Sequence, residues 1–255
     1  MTLFDMKGKL AVITGSTRGI GRAIAERMAE HGAKVVISSR KSDACDRVAR
    51  EINDRFGAGT ALSIAANISS KEDLQRLIEE SNKRFGKIDI LVCNAASNPY
   101  FGPLAEISDD QFNKVLTNNI VANNWIISMV VPQMIERKDG SIIIVSSIGG
   151  LTGSTTIGAY CISKAADMQL ARNLACEYGR HNIRVNCIAP GLIKTDFAKA
   201  LWDDPETLKS STSRCPMQRI GVPDEVAGAA VFLGSAAGNF MTGQVLVIDG
   251  GVTIS

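Results

Sequence analysis

The sequence has little of what marks metal-binding or disulfide-rich proteins. It contains two histidines and six cysteines, and no two cysteines form a C-x-x-C unit. His31 and His181 do not stand at metal-ligand spacing from the cysteines, so we predict no metal site. The cysteines are expected to be free thiols in a reducing compartment, because a chain of 255 residues can bury a large core without disulfides.

Long apolar runs and an excess of one charge are also missing. No stretch approaches the roughly 18 apolar residues of a membrane span, and the apolar segment near the N-terminus is too short for a signal peptide. The formal net charge is only +2, which argues against a nucleic-acid or anionic-membrane partner. Apolar residues make up 45% of the chain, which excludes intrinsic disorder. We therefore expect a globular cytoplasmic protein.

Apolar strand patterns alternate with helical patterns along the whole chain. The predicted strands are residues 9–14, 34–38, 60–65, 88–93, 141–146, 184–189 and 244–248. The predicted helices are residues 19–31, 42–56, 71–85, a long helix that begins at 108, and 158–178. This alternation predicts one α/β domain over residues 1–255, with a doubly wound parallel sheet of about seven strands flanked by helices. The irregular segment 192–221 is predicted to cover a substrate.

A glycine-rich turn joins the first predicted strand to the first predicted helix. Glycines at such a turn let the backbone approach a pyrophosphate, and the following helix N-terminus offers free N–H groups. A glycine trio alone is weak evidence, but its position directly after the first strand favours a dinucleotide site over a simple turn. The residues expected to contact the phosphates are Gly15, Ser16, Arg18, Gly19, Ile20 and Gly21.

The end of the second strand discriminates between NAD and NADP. An acidic residue there would bind the ribose 2′-hydroxyl and repel a 2′-phosphate. Here the strand is followed by Ser39 and Arg40, and no acid occurs before Asp43. Together with Arg18, Arg40 is expected to bind the 2′-phosphate with no acid opposing it, so we predict NADP(H). The alternative is that Arg40 is a solvated surface charge.

Tyr160 and Lys164 stand four residues apart near the start of a predicted helix, so they share one helix face. A neighbouring cation lowers the pKa of a phenol, which makes it a better acid–base group. Taken alone, this spacing is more often a surface pair. Ser147, however, ends a predicted strand where ligands bind in such sheets, and the three side chains could together bind and protonate a carbonyl oxygen.

These motifs, taken together, resemble the short-chain dehydrogenase/reductase family over nearly the whole chain. The matching elements are residues 14–21, 94–96, Asn119, Ser147, Tyr160, Lys164 and 190–191. The resemblance implies that Tyr160 is the general acid or base and that Ser147 polarises the carbonyl. It further implies that Lys164 lowers the pKa of the tyrosine and holds the nicotinamide ribose, and that Asn119 supports a proton relay.

The resemblance also implies further cofactor contacts. They are Asn67, Ile68, Asn94, Ala95, Pro190, Gly191, Ile193 and Thr195. Two positions depart from the family pattern: Ala96 replaces a glycine, and Asn67 replaces an acid near the adenine. Three stretches are similar to the NADP-dependent carbonyl/retinal reductase branch, but the chain ends in residues 253–255 without a peroxisomal address, which favours the cytoplasm.

The family resemblance implies a homotetramer. The predicted long helix carries Ile126, Ile127, Met129 and Val130, more apolar residues than one face needs, which favours a subunit interface over burial within the monomer.

A largely apolar set of loop residues is the predicted substrate pocket. It comprises Asn98, Tyr100, Ile148, Thr155, Phe197 and Trp202. Such a lining suits a hydrophobic ketone or aldehyde, although the aromatic residues could equally pack under a loop. The predicted activity is NADPH-dependent carbonyl reduction. The alternatives are a 3-oxoacyl thioester (acyl-carrier-protein) reductase and a non-catalytic NADP-binding regulator.

Overall fold

Seven parallel strands form a single sheet in the computed structural model, which describes residues 2–255. The strands are β1 Leu10–Thr14, β2 Lys34–Ser38, β3 Ala61–Ser63, β4 Ile90–Cys93, β5 Gly140–Val145, β6 Ile183–Pro190 and β7 Val245–Ile248. Their order is β3-β2-β1-β4-β5-β6-β7, so the winding direction reverses between β1 and β4. Ligands bind at such a switch point, outside the carboxyl ends of the strands.

Helices cover both faces of this sheet. They are α1 Gly19–Glu30, α2 Ser42–Phe56, α3 Lys71–Phe85, α4 Asp109–Leu116, α5 Ala122–Arg137, α6 Gly158–Tyr178, α7 Pro205–Thr212 and α8 Pro223–Gly234. Buried side chains of α1, α2 and α8 form one core with the sheet, and those of α3, α5 and α6 form the other. Because both faces are covered, the central strands β1, β4 and β5 are buried throughout and largely apolar.

The predicted α/β fold is confirmed, and the differences lie at particular elements. The third strand is shorter than predicted, since only Ala61–Ser63 pairs with β2. Sequence patterns did not indicate α8, because its mixture of alanine, valine and glycine lacks a polar stripe; it packs against α1. The long helix predicted from residue 108 begins there with Ser108 as its N-cap, but one turn of π-helix over Thr117–Val121 separates α4 from α5.

The apolar excess on α5 has a different explanation from the predicted one. Ile126, Ile127 and Val130 are at most 1% exposed within the chain itself. They pack into the core on the α3 side of the sheet, so the inference of an interface from these three residues was wrong. Met129 is partly buried against the same core.

Segment 192–221 contains short helical pieces rather than plain coil. A 3-10 turn spans Asp196–Leu201 and is followed by α7. The two ends of the segment meet in a bridge between Ile193 and Gly221, where the Lys194 N–H donates to the Gly221 carbonyl at 2.9 Å. The segment is therefore a loop closed at its base.

Other global features follow from the described residues. Within residues 2–255, no helix is both long and apolar enough to cross a membrane. The same residues contain no group of three or more metal-ligating side chains. The cysteines are free, and Cys176 is the exposed one.

Candidate active site

The predicted site residues meet at the carboxyl edge of the sheet. The glycine-rich turn follows β1, Asn94 follows β4, Ser147 follows β5 and Gly191 follows β6. Tyr160 and Lys164 lie in the first two turns of α6, which packs against β6. Parallel strands bring these separate segments together because their carboxyl ends all lie on one edge.

Two glycines of the turn, Gly15 and Gly21, have no room for a side chain. Gly15 has a φ of +65°, and a Cβ on Gly21 would stand 2.5 Å from the Gly15 carbonyl oxygen. Asn94 holds the turn, since its Nδ2 donates to the carbonyls of Thr14 at 2.9 Å and Gly15 at 3.1 Å. The Ala95 N–H donates to Thr14 Oγ1. Asn94 and Ala95 thus fasten the turn to β4.

The N-terminus of α1 suits a pyrophosphate. No side chain caps this end, and no acidic residue occurs in its first turn. The N–H groups of Gly19, Ile20 and Gly21 are therefore available to an anion, and the helix dipole favours negative charge there. The residues present fit the phosphates of a dinucleotide.

The adenosine end of the site contains the arginines. We expected no acidic residue beside Arg18, and this expectation was wrong. The Arg18 Nη1 lies 3.3 Å from Asp196 Oδ2 on loop 192–221. Both side chains are about two-thirds exposed, at 69% and 65%, so solvent weakens this ion pair. Arg40 is exposed, and within residues 2–255 it forms no ion pair.

The other residues expected near the adenosine are engaged locally. Ser39 Oγ lies 3.3 Å from Cys45 Sγ. Asn67 Oδ1 accepts a hydrogen bond from the Ser69 N–H at 3.2 Å. Ile68 packs against the core beside α3. The Nδ2 of Asn67 forms no hydrogen bond within the described part of the chain, so it can donate to a ligand.

Tyr160, Lys164 and Ser147 are brought together as predicted. The Lys164 Nζ lies 5.7 Å from the centroid of the Tyr160 ring. It donates hydrogen bonds to the Val145 carbonyl at 2.9 Å and to Asp167 Oδ2 at 2.9 Å. Ser147 Oγ accepts from the Gly149 N–H at 3.0 Å, which orients the hydroxyl at the end of β5. The lysine is 2% exposed, whereas the tyrosine is partly exposed.

The electrostatics of the phenol reflect opposing effects. Burial raises the pKa of Tyr160, and this effect outweighs the lowering by the Lys164 charge and by the Ser147 hydroxyl. A raised pKa keeps the phenol protonated at neutral pH. The site therefore presents a neutral proton donor beside a buried cation.

Asn119 lies in the π-helical turn and is fully buried. Its Oδ1 accepts from the Ser97 N–H at 2.8 Å, and its Nδ2 donates to Ser163 Oγ at 3.0 Å. Ser163 Oγ in turn donates to the Tyr160 carbonyl. Asn119 thus joins the segment after β4 to α6.

Asp167 and Asn123 were not singled out in the sequence. Both are buried, and Asn123 Nδ2 donates to Asp167 Oδ1 at 3.0 Å and to the Asn119 carbonyl at 2.6 Å. The available signal was an acid three residues after Lys164, between alanines and a methionine.

The residues expected at the nicotinamide end follow β6. Gly191 donates its N–H to the Ile248 carbonyl, and a Cβ on it would stand 2.8 Å from Asp249 Cα. Pro190 ends β6, and Ile193 is buried at the base of the loop. A Cβ on Gly19 would stand 3.2 Å from Thr195 Cγ2, so Thr195 lies against the glycine turn.

The predicted pocket is assembled only in part. The ring centroids of Phe197 and Tyr160 are 6.0 Å apart, which puts Phe197 beside the phenol. The Trp202 Nε1 donates a hydrogen bond to the Thr195 carbonyl of the same loop at 3.0 Å. Tyr100 donates its O–H to the Pro103 carbonyl in its own turn. Trp202 and Tyr100 thus form hydrogen bonds within their own loop segments.

The three other pocket residues lie in the surrounding loops. Ile148 follows Ser147 directly in a 3-10 turn. Asn98 follows β4 and Thr155 precedes α6. The side chains of Asn98 and Thr155 form no hydrogen bond within residues 2–255, so both can contact a ligand.

Comparison with known proteins agrees with this geometry. A family model described as Enoyl-(Acyl carrier protein) reductase matches residues 15–253. "Dehydrogenase/reductase SDR family member 4" of Bos taurus is 41% identical over 249 residues, which covers 96% of this chain and 88% of the relative. The chain belongs to the short-chain dehydrogenase/reductase family. It is therefore an oxidoreductase by family.

Two solved structures of short-chain dehydrogenase/reductase fold carry different cofactors. A gluconate 5-dehydrogenase from Burkholderia cenocepacia in complex with NADP and tartrate is 34% identical, with a TM-score of 0.94 and coverage of 99% of this chain and 98% of that chain. A 7 alpha-hydroxysteroid dehydrogenase complexed with NADH and 7-oxo glycochenodeoxycholic acid is also 34% identical, with a TM-score of 0.93 and coverage of 98% and 96%. These relatives support a nicotinamide cofactor but leave the choice between NADP and NAD to the residues of this chain.

Proposed function

We propose that the protein reduces a ketone or an aldehyde to an alcohol with NADPH, and that it catalyses the reverse oxidation. The observation that carries this proposal is the buried ammonium of Lys164 beside the phenol of Tyr160, at the sheet edge that also holds the glycine turn. A purely structural lysine would not require a phenol and the Ser147 hydroxyl at the same edge.

The side chains have distinct roles in the proposed reaction. Tyr160 donates its proton to the carbonyl oxygen, and Ser147 donates a hydrogen bond to the same oxygen. Lys164 stabilises the phenolate that remains and holds the nicotinamide ribose, while Asn119 supports the return of a proton. NADPH, when bound, supplies the hydride to the carbonyl carbon.

The preference for NADP rests on the arginines. The 2′-phosphate is a dianion, and guanidinium groups bind such groups through paired charge-assisted hydrogen bonds. Arg40 is exposed at the end of β2 with no acid beside it, and Arg18 in the turn can exchange Asp196 for the phosphate. An NAD-specific site would place an acid where Ser39 and Arg40 stand.

The substrate is proposed to be hydrophobic and to be covered by loop 192–221. Phe197, at the start of this loop, is 55% exposed and lies beside Tyr160. A bound apolar group would shield this ring from water. We further propose a cytoplasmic homotetramer, on the basis of the family resemblance alone.

A second candidate substrate is a 3-oxoacyl thioester on a carrier protein. The description of the matching family model, an acyl-carrier-protein reductase, favours it. The basic residues at the loop argue against it, because Lys199 pairs with Asp203 and Lys194 lies over the Trp202 ring. These engaged lysines offer little free positive charge to an acidic carrier.

An NADPH-oxidation screen over ketones, aldehydes, diketones and acetoacetyl thioesters tests the proposal. We expect turnover of at least one hydrophobic carbonyl by the wild type, and turnover reduced by at least about 100-fold in Tyr160→Phe. A screen with no turnover but tight NADPH binding would instead support the non-catalytic regulator.

A further inference from the structure

A buried carboxylate lies directly behind the active-site lysine. Asp167 is 0% exposed, and its Oδ2 accepts a hydrogen bond from Lys164 Nζ at 2.9 Å. Its Oδ1 accepts from Asn123 Nδ2 at 3.0 Å. Asn123 also donates to the Asn119 carbonyl, so one chain of hydrogen bonds runs from the lysine to the π-helical turn. No role in proton transfer or cofactor binding requires a carboxylate at this position.

The lysine needs such a partner because of its burial. An ammonium removed from water loses its hydration, which favours the neutral amine. Burial is the largest single effect on the pKa of Lys164 and would lower it, but the charge and hydrogen bond of Asp167, together with the smaller effects of Tyr160 and Cys187, outweigh burial and raise this pKa. A neutral Lys164 could no longer stabilise a phenolate.

Geometry gives the carboxylate a second effect. An ammonium has three N–H donors. The Val145 carbonyl and Asp167 Oδ2 each accept one of them, on the protein side of the group. The remaining N–H is left for a ligand hydroxyl or for the phenol.

We propose that Asp167 is a positioning residue that keeps Lys164 charged and orients its free N–H. This inference rests on the proposed function, because it assigns Lys164 a role in the same reaction. Asp167 itself touches neither the cofactor nor the substrate.

The groups around Lys164 allow a test with a definite sign. They are Tyr160 and Asp167 on α6, Cys187 on β6 and, facing both charges, Cys93 on β4. Burial raises the pKa of both thiols, so they are neutral at ordinary pH. Asp167 acts on Tyr160 in two opposite ways: its own charge raises the pKa of the phenol, and the lysine it keeps charged lowers that pKa.

The experiment is an ultraviolet titration of tyrosinate in the full chain. Absorbance is read milliseconds after a pH jump, before alkaline unfolding. The chain has three tyrosines, so subtracting the matched Tyr160→Phe curve isolates Tyr160. We expect Asp167→Asn to raise the pKa of Tyr160 by about one unit or more, as Lys164→Met should, because the positive charge beside the phenol is lost in both. Asp167→Glu keeps the charge and should keep the pKa near that of the wild type.

Asn123→Ala is the control, because it removes a buried polar group but no charge; the pKa of Tyr160 should stay within a few tenths of a unit. An unchanged pKa in Asp167→Asn would mean that the carboxylate is only structural. A lowered pKa would mean that Asp167 acts directly on the phenol. Either result overturns the proposal.

The test depends neither on turnover nor on the folding of one variant. The titration uses neither NADPH nor a carbonyl, so a protein without turnover would refute the proposed function and still answer this question. If Asp167→Asn folds poorly, the double variant with Lys164→Met removes the unpaired charge. Recovered thermal stability in the double variant supports the charge-balancing role, and no recovery overturns it.

Discussion

The polar network around Lys164 and loop 192–221 are built in opposite ways. Lys164, Asp167 and Asn119 are each at most 2% exposed and are held by hydrogen bonds between α6, α5 and the sheet. In the loop, Phe197 is 55% and Met217 58% exposed, and the loop is joined to itself at its base. One region is fixed by the core, whereas the other rests on the surface.

This contrast separates proton chemistry from substrate choice. A proton donor needs a fixed position and a controlled pKa, and buried helices and strands supply both. An exposed loop accepts substitutions at little cost in stability, so its residues can differ without unfolding the domain. We therefore expect variants of the network to lose activity or folding, and variants of the loop to change the substrate.

The largest effect is expected for Tyr160→Phe. Loss of a general acid reduces turnover by about 10² to 10⁴-fold, while the remaining ring keeps the packing and the affinity for NADPH. Steady-state kinetics and cofactor fluorescence titration measure these two quantities. Tyr178→Phe, the same change away from the site, is the control and should leave both unchanged. A Tyr160→Phe enzyme with wild-type turnover would refute the acid role.

Next in size are the changes in cofactor affinity. Arg40→Ala should weaken NADPH binding by about 10 to 100-fold, because a charge-assisted hydrogen bond contributes roughly 1.5–3 kcal/mol. Binding of NADH should be unaffected, since it lacks the 2′-phosphate. The matched control is Arg50→Ala, which removes an exposed arginine on α2, and it should leave the affinity for NADPH unchanged. An equal loss of affinity for NADPH and NADH in Arg40→Ala would contradict the proposed preference for NADP.

The pH dependence should differ between the two reaction directions. Reduction requires the protonated phenol, and the pKa of Tyr160 is raised above its ordinary value by burial. The reduction rate should therefore be flat through neutral pH and fall only as pH rises through that pKa. Oxidation requires the phenolate, so its rate should rise by about tenfold per pH unit below the pKa. Rates over a wide pH range check this, and reduction that declines through neutral pH contradicts it.

The smallest effects should come from the loop. Phe197→Ala is expected to change the free energy of unfolding by no more than about 0.5 kcal/mol and to raise KM for a hydrophobic substrate. Ile144→Ala, in the buried strand β5, should lower the free energy of unfolding by about 2–5 kcal/mol. Denaturant unfolding compares the two. If Phe197→Ala lowered the free energy of unfolding as much as Ile144→Ala, the contrast between the two regions would be wrong.

Patterns along the chain were sufficient for the parts that depend on near neighbours. The strand and helix periods predicted the sheet, and α3 and α6 begin and end at their predicted residues. A spacing of four residues on a helix put Tyr160 and Lys164 on one face. The helix α8 escaped prediction because, after its acidic first turn, its continuous apolar pattern carries no period.

By itself, the sequence determined the fold class, the glycine turn and the Tyr160–Lys164 pair, because each depends on residues a few positions apart. Only the tertiary structure decided which distant side chains meet. Asn123 and Asp167 are 44 residues apart, and Arg18 and Asp196 are 178 apart. Their contacts depend on how helices and loops pack on the sheet, and no local pattern carries that information. The same packing buried Ile126 and Ile127 inside the chain rather than at an interface.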